Sequence, residues 1–238
     1  MIEVSNNIDI YGYEMDMDME TSIAGENSSK VVKSNGNGYI DIKNKKIKIS
    51  ININETSKGK SKLTHTKIYI FDDMEYMLSG IDSNWIKFEV PRNKLDSENQ
   101  LNKQMKLVMT SKIKYIKEES FKNIDCYLLS IEPDKDASWK VIMEQEEEHP
   151  LLKLLNLDCE NVVKDMDMKL WISKDTSFPM KCIMEMRAVI EKEIMKAPFK
   201  MIINVKKTYS YYNHNKPLVI KLPEGAKNAK VYREEWED

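Results

Sequence analysis

The sequence predicts an α+β protein built on one curved antiparallel sheet, a half-barrel of about ten to eleven strands with helices covering its concave face. Three observations lead there. Apolar and polar residues alternate with a period of two along most of the 238-residue chain, as half-buried strands require. The segments are joined by turns of a few residues, too short for parallel crossovers. Helical spacing replaces the alternation at only two places, and a sheet of this many strands must curl.

In chain order, residues 1–9 form a flexible polar lead. The first strand sets Tyr11, Tyr13, Met15, Met17 and Met19 on one face and Glu14, Asp16, Asp18 and Glu20 on the other. Val31 to Ile42 reads as a second strand, with Gly36 and Gly38 marking a bulge or bend. Ile47, Ile49, Ile51 and Ile53 alternate with Lys46, Lys48, Ser50 and Asn52 in the third. Strands over 63–71, 75–78 and 85–90 continue the meander. Ser97 and Gln100 then form a capping-box signal before Leu101, Met105 and Val108, which recur at helical spacing up to Ser111.

Strands over 113–121 and 124–132 follow, joined at Lys122-Asn123. Asp136 can cap a second helix with Trp139, Ile142 and Met143 on its apolar face, fraying at the acidic run Glu144 to Glu148. Pro150 to Leu157 is leucine-rich and irregular. The clearest signal is DMDMKLWISKDTSFPMKCIMEM, residues 165–186: two alternating strands joined by a polar turn, with Pro179 opening the return strand. A long strand over 199–212 and a short closing strand over 218–222 complete the domain, which spans 10–226. Residues 227–238 are a charged tail.

Composition narrows the function. Hydrophobic residues at 41% against 32% charged suit a sheet with water on one side, where first-strand acids can pair with lysines of the next two strands. A net charge of −2, with lysines interleaved among acids, gives no basis for nucleic acid binding. Cys126, Cys159 and Cys182 lack metal-ligand spacing; one bridge with a free thiol and three idle thiols both fit the count. Nothing resembles a signal peptide or a membrane span. Asn27 and Asn54 stand in glycosylation sequons, which suits an exported protein.

His65, His149 and His214 lack partner motifs and read as surface or loop histidines. The alternating acids lie about 7 Å apart along a strand, too wide for chelation by that strand, and read as a solvated face. No phosphate loop, nucleophile elbow or supported carboxylate pair is present, so neither an enzyme nor a metal or cofactor is expected.

The methionine stripes carry the functional expectation. They are either core lining or an adaptable cavity wall, because methionine is flexible and polarizable. Sixteen methionines against five phenylalanines favour the second reading, since a uniquely packed core uses methionine sparingly. The expected wall is Met15, Met17, Met19, Ile49, Ile51, Met166, Met168, Leu170, Met184 and Met186. Trp139, Ile142, Met143, Leu151, Leu152 and Leu155 either fill the half-barrel or form a movable cover.

Taken together, LWISKDTSFPMK, NGNGYIDIKNKKIKI, DCYLLSIEP and YYNHNKPLVIKLP, in this order, resemble the LolA/LppX superfamily of lipoprotein carriers and lipid-binding lipoproteins. The resemblance covers roughly 11–226. It implies an apolar cavity holding acyl chains, a location outside the cytoplasmic membrane, and often a lipidated cysteine tether. No cysteine precedes Cys126, so a tether here requires residues upstream of Met1. Carriers of the superfamily also hold a lid helix with an early-strand arginine, and no arginine precedes Arg92. The expected function is therefore a non-enzymatic, extracytoplasmic binding protein or carrier for lipid acyl chains or a lipoprotein anchor. The alternative is a cell-envelope structural or interaction domain with a filled core.

Overall fold

A computed structural model describes residues 8–24, 29–80, 84–90, 99–134, 162–194 and 197–231. Twelve strands form one sheet: β1 (Ile10–Ile23), β2 (Lys30–Asp41), β3 (Lys46–Ser57), β4 (Lys60–Phe71), β5 (Met74–Ser79), β6 (Trp85–Glu89), β7 (Lys112–Phe121), β8 (Ile124–Glu132), β9 (Val163–Ser173), β10 (Pro179–Ile194), β11 (Ala197–Tyr212) and β12 (Lys230–Val231). Their spatial order is β12-β6-β5-β4-β3-β2-β1-β11-β10-β9-β8-β7. β1 is central because β11 returns to pair with it from Gly12↔Tyr212 to Ile23↔Met201. The described helices are α1 (Gln100–Met109) and the single turn α2 (Glu224–Lys227).

The topology explains why a helix packs against the sheet. β6 and β7 lie toward opposite edges of the sheet, so the chain must cross from one to the other, and α1 lies on that crossing. Leu101, Met105 and Val108 of α1 pack into one buried cluster with Tyr11, Tyr13, Ile47, Leu170, Tyr209 and Tyr211 from the sheet. The helix cap is Asn99, whose Oδ1 accepts from the Asn102 N–H at 3.0 Å, and not the expected Ser97. An Asn cap satisfies the same orphan donor, so the capping-box spacing was two residues early.

Four further expectations change. Gly36 and Gly38 do not bulge: β2 keeps an unbroken register with β1 and β3. They admit neighbours instead, since a Cβ on Gly38 would sit 2.2 Å from the Tyr13 ring and one on Gly36 2.5 Å from the Ser50 carbonyl. Residues 218–222 form no strand, and the closing strand is β12, which pairs with β6 in parallel. This brings the strand count to twelve and makes one edge pair non-antiparallel. The fourth change is to the convex face, which is not wholly solvated. Cys126, Leu128, Trp171 and Met180 are buried there beneath Phe121 and Ile124 of the β7–β8 hairpin. A register shift between Pro179 and Lys181 is what turns Met180 to that side.

Ion pairs cross the same convex face. Asp18 pairs with Lys33 of β2 at 3.7 Å, while Glu14 meets Lys122 of the β7–β8 turn at 3.2 Å. Lys181 sits 4.7 Å from the Trp171 ring centroid. Cys126 and Cys182 are both free and buried, in clusters on opposite faces of the sheet.

Candidate functional site

Strand register decides which side chains share a face, and here it assembles most of the expected wall. Met15, Met17 and Met19 of β1 stand opposite Tyr209, Lys207 and Val205 of β11, which in turn stand opposite Cys182, Met184 and Met186 of β10. Leu170, Met168 and Met166 of β9 continue the same three rungs. On the other side Met15 faces Gly36 and then Ile51, and Tyr13 faces Gly38 and then Ile49. All ten expected wall residues therefore lie on the concave face.

They are not equally covered. Ile49, Met168 and Leu170 are fully buried, whereas Met15, Met17, Met19, Ile51, Met166, Met184 and Met186 are only half-buried. The half-buried methionines form a band between two packed regions. On one side is the α1 cluster; on the other, Val162, Ala188 and Ile190 bury against Phe199, Met201 and Ile203. Lys207 rises within the band, half-buried between Met17 and Met184 in register. Trp139, Ile142, Met143, Leu151, Leu152 and Leu155 lie outside the described residues.

At the covered end, four tyrosines form a ring system: Tyr11–Tyr211 centroids are 5.9 Å apart, Tyr13–Tyr209 6.1 Å and Tyr209–Tyr211 6.2 Å. Tyr11 is the residue that sequence reasoning missed. Its hydroxyl donates to Asn99 Oδ1 at 2.8 Å and accepts from the Leu101 N–H at 3.3 Å, which pins the start of α1 to the sheet. An early-strand side chain thus holds the start of the helix. The signal was present in the YGY of β1, because a buried tyrosine needs a partner for its hydroxyl.

Among the described residues the buried Tyr211 hydroxyl and Gln104 carboxamide have no hydrogen-bond partner, and neither does His214 Nε2. Burial pushes the Tyr209 and Tyr211 phenols and the Cys182 thiol well above their usual pKa values, so all three stay neutral. Nearby, His214 packs 5.0 Å from the Phe178 ring. It is more buried than a surface histidine, and that burial drives its pKa down to about 4, with Lys216 adding to the shift and a backbone hydrogen bond at Pro179 opposing it.

The convex face carries a depression of about 580 Å³ with a different character. Asp18, Glu20, Asp165, Asp167 and Glu185 line it together with Lys33, Arg187 and Lys206, and Met19, Val31, Met186 and Val205 add an apolar part. Lys206 holds Glu185 at 2.6 Å, and that hydrogen bond lowers the carboxyl pKa and raises that of the amine. No cluster of three or more metal-ligating His, Cys, Asp or Glu side chains occurs among the described residues. The depression therefore mixes charged and apolar lining and shares Met19 and Met186 with the methionine band. No described helix is long and apolar enough to cross a membrane.

Comparison with known proteins agrees with this architecture. The crystal structure of LprF from Mycobacterium bovis superimposes with a TM-score of 0.51 over 94% of this chain and 93% of that one, at 10% identity. The Mycobacterium tuberculosis lipoprotein LppX aligns over 92% and 93% at 7% identity, with a TM-score of 0.42. A LolA superfamily protein from Nitrosomonas europaea aligns over 92% and 93% at 11% identity, with a TM-score of 0.25. The chain shares its fold with LprF. No curated protein matches the sequence. The model of DUF6612, a family of unknown function, matches residues 1–231.

Proposed function

The chain belongs to the DUF6612 family, and from that starting point we propose that it is a non-enzymatic, extracytoplasmic binding protein or carrier for a hydrophobic ligand, with acyl chains lying along the methionine band. The observation that carries the reading is the exposure contrast on one face: water is excluded on both sides of the band and admitted along it. Fold alone does not give function, and the likeness to LprF is one of fold.

Binding would be partition. Each methylene moved out of water contributes about 0.8 kcal/mol, and flexible thioethers adjust to chains of varied shape. The unpartnered Tyr211 hydroxyl and Gln104 carboxamide are the groups we assign to a polar part of the ligand, because each costs about 1–3 kcal/mol while unpaired. Trp139, Ile142, Met143, Leu151, Leu152 and Leu155 are proposed to complete the cover.

The test is binding of an environment-sensitive apolar dye and its displacement by fatty acids, with native mass spectrometry of protein purified from its own source. A stoichiometric, displaceable site supports the reading. A consistently ligand-free protein that binds no dye overturns it and leaves the structural-domain alternative.

A further inference from the structure

Eight large hydrophobic side chains of the described residues are exposed, and five of them, Met109, Ile113, Tyr115, Ile116 and Tyr127, fall in one region formed by the end of α1, the edge strand β7 and its neighbour β8. Register puts Ile113 opposite Ile131, Tyr115 opposite Leu129, and Tyr127 opposite Ile172. These partners belong to the α1 cluster, so Ile113, Tyr115 and Tyr127 project on the concave side, beside the mouth of the half-barrel. Tyr115 and Tyr127 meet edge to face at 6.4 Å. Scattered exposed apolar residues need no explanation, but a cluster of five does.

Charge accompanies the cluster. Lys106, Lys112 and Lys114 are exposed and make no ion pair among the described residues, Lys112 and Lys114 alternating to the other side of the β7 edge from Ile113 and Tyr115, while the acids farther along β7 are engaged: Glu118 by Lys174 at 2.5 Å and Glu119 by Lys117 at 3.5 Å. The carboxylate facing the free lysines in register is Glu132, opposite Lys112. We propose that this edge docks on an anionic lipid bilayer surface, with Met109, Ile113, Ile116 and the two tyrosines entering the interface and the three lysines meeting lipid headgroups. Tyrosine suits that boundary because its ring is apolar and its hydroxyl stays wet, and lysine stems cover apolar surface while the ammonium reaches the headgroups.

Addition of a partner strand to β7 is the competing use of an edge that no described strand pairs. The register shift between Tyr115 and Lys117 breaks the ladder in mid-strand, and lysines flank it, both of which oppose edge pairing. The bilayer is therefore the occupant that the edge fits. The inference extends the lipid-ligand reading by naming the surface from which such a ligand would be collected, or to which it would be delivered. Its test is read on vesicles and not on ligand uptake.

Sedimentation with phosphatidylcholine vesicles, with and without one-third phosphatidylglycerol, is the experiment. The full chain is expected to pellet with the anionic vesicles and to be released as salt rises from about 0.1 to 1 M, over which the Debye length falls from about 10 to 3 Å. Lys112→Glu with Lys114→Glu should weaken that partition at least about tenfold, given roughly fivefold per neutralised lysine. Ile113→Ser with Tyr115→Ser should weaken partition into both vesicle types. All four side chains are exposed, so an unchanged urea midpoint verifies folding.

Wild-type protein that stays in the supernatant with anionic vesicles overturns the proposal, as does pelleting that neither double variant alters. Dye uptake measured on the same samples separates the two readings. Variants that lose vesicles but keep dye support a docking edge distinct from the ligand band, and wild-type protein that pellets without taking dye retains the edge while removing the ligand.

Discussion

The tyrosine end and the methionine band of the concave face are made by the same strands. β1 alone supplies Tyr11 and Tyr13 to one and Met15, Met17 and Met19 to the other. Tyr11, Tyr13, Tyr209 and Tyr211 are at most 4% exposed, roofed by α1 and held by directed contacts: ring pairs, the Tyr11 hydroxyl, and a glycine cut to the Tyr13 ring. The methionines have neither a fixed ring geometry nor a hydrogen-bonding group, and they stay half-buried. A rigid, specified end beside an adaptable, partly open one is the division expected of a protein that must hold its shape and still receive a variable apolar guest.

The sharpest way to break this comparison is to truncate matched side chains. Leu170→Ala removes a side chain with no exposure from the α1 cluster and should cost about 2–5 kcal/mol. Met17→Ala or Met186→Ala, on the same face within two rungs, should cost under about 1 kcal/mol while weakening dye binding several-fold. Urea denaturation followed by circular dichroism reads the first quantity and dye titration the second. Equal stability losses would mean that the two regions are one continuous core.

Gly38→Val tests the same end from the backbone. The new Cβ would fall inside the Tyr13 ring, and the close approach is to a whole aromatic ring, so the ring must leave its place over β2. A loss of about 2–4 kcal/mol is expected, with near-ultraviolet circular dichroism of the tyrosines changing along with it. An unchanged tyrosine spectrum would show that the ring does not rest on Gly38.

Acid should loosen the structure beside the tyrosine end first. The folded pKa of His214 is depressed to about 4 by burial, against about 6.5 in the unfolded chain, so the neutral ring is the form that folding favours. The stability this contributes is complete above about pH 6.5 and is lost as pH falls toward 4, on the order of 2 kcal/mol in all. His214→Gln should flatten the stability profile across that window. A profile unchanged by the substitution would place the acid sensitivity elsewhere.

Much of the fold was legible because alternation of apolar and polar residues marks most of the strands without help from tertiary context. DMDMKLWIS and PMKCIMEM give β9 and β10 their faces unaided, apart from Met180, which a bulge turns over. Residues 218–222 carry an alternation that folding did not use, and β12, two residues long, has too little sequence to signal anything. Which residues stay half-open could not be read from periodicity, since Met168 and Met166 alternate identically yet only the first is buried. The Tyr11 latch depends on Asn99, 88 positions away, and local pattern carries no information over that distance. The same limit hid the β7 edge: alternation over 113–121 marks a strand but not its place in the sheet, and no described strand pairs beyond β7.

The smallest effect expected is the most informative about how the two regions are joined. Tyr11→Phe keeps the ring and its packing and deletes one hydroxyl, which removes the bond to Asn99 and leaves the Leu101 N–H without its acceptor. The cost should be about 1–2 kcal/mol, concentrated in α1 and not spread over the sheet. Hydrogen exchange would show it as faster exchange at the amides of Leu101 to Met105 with β1 and β11 unchanged. If α1 is the fixed roof beside an open band, loosening it should raise access to the concave face and alter dye affinity in the Tyr11→Phe protein. If dye affinity does not move while exchange in α1 accelerates, the methionine band is independent of the helix, and the open half of the face is set by the strands alone.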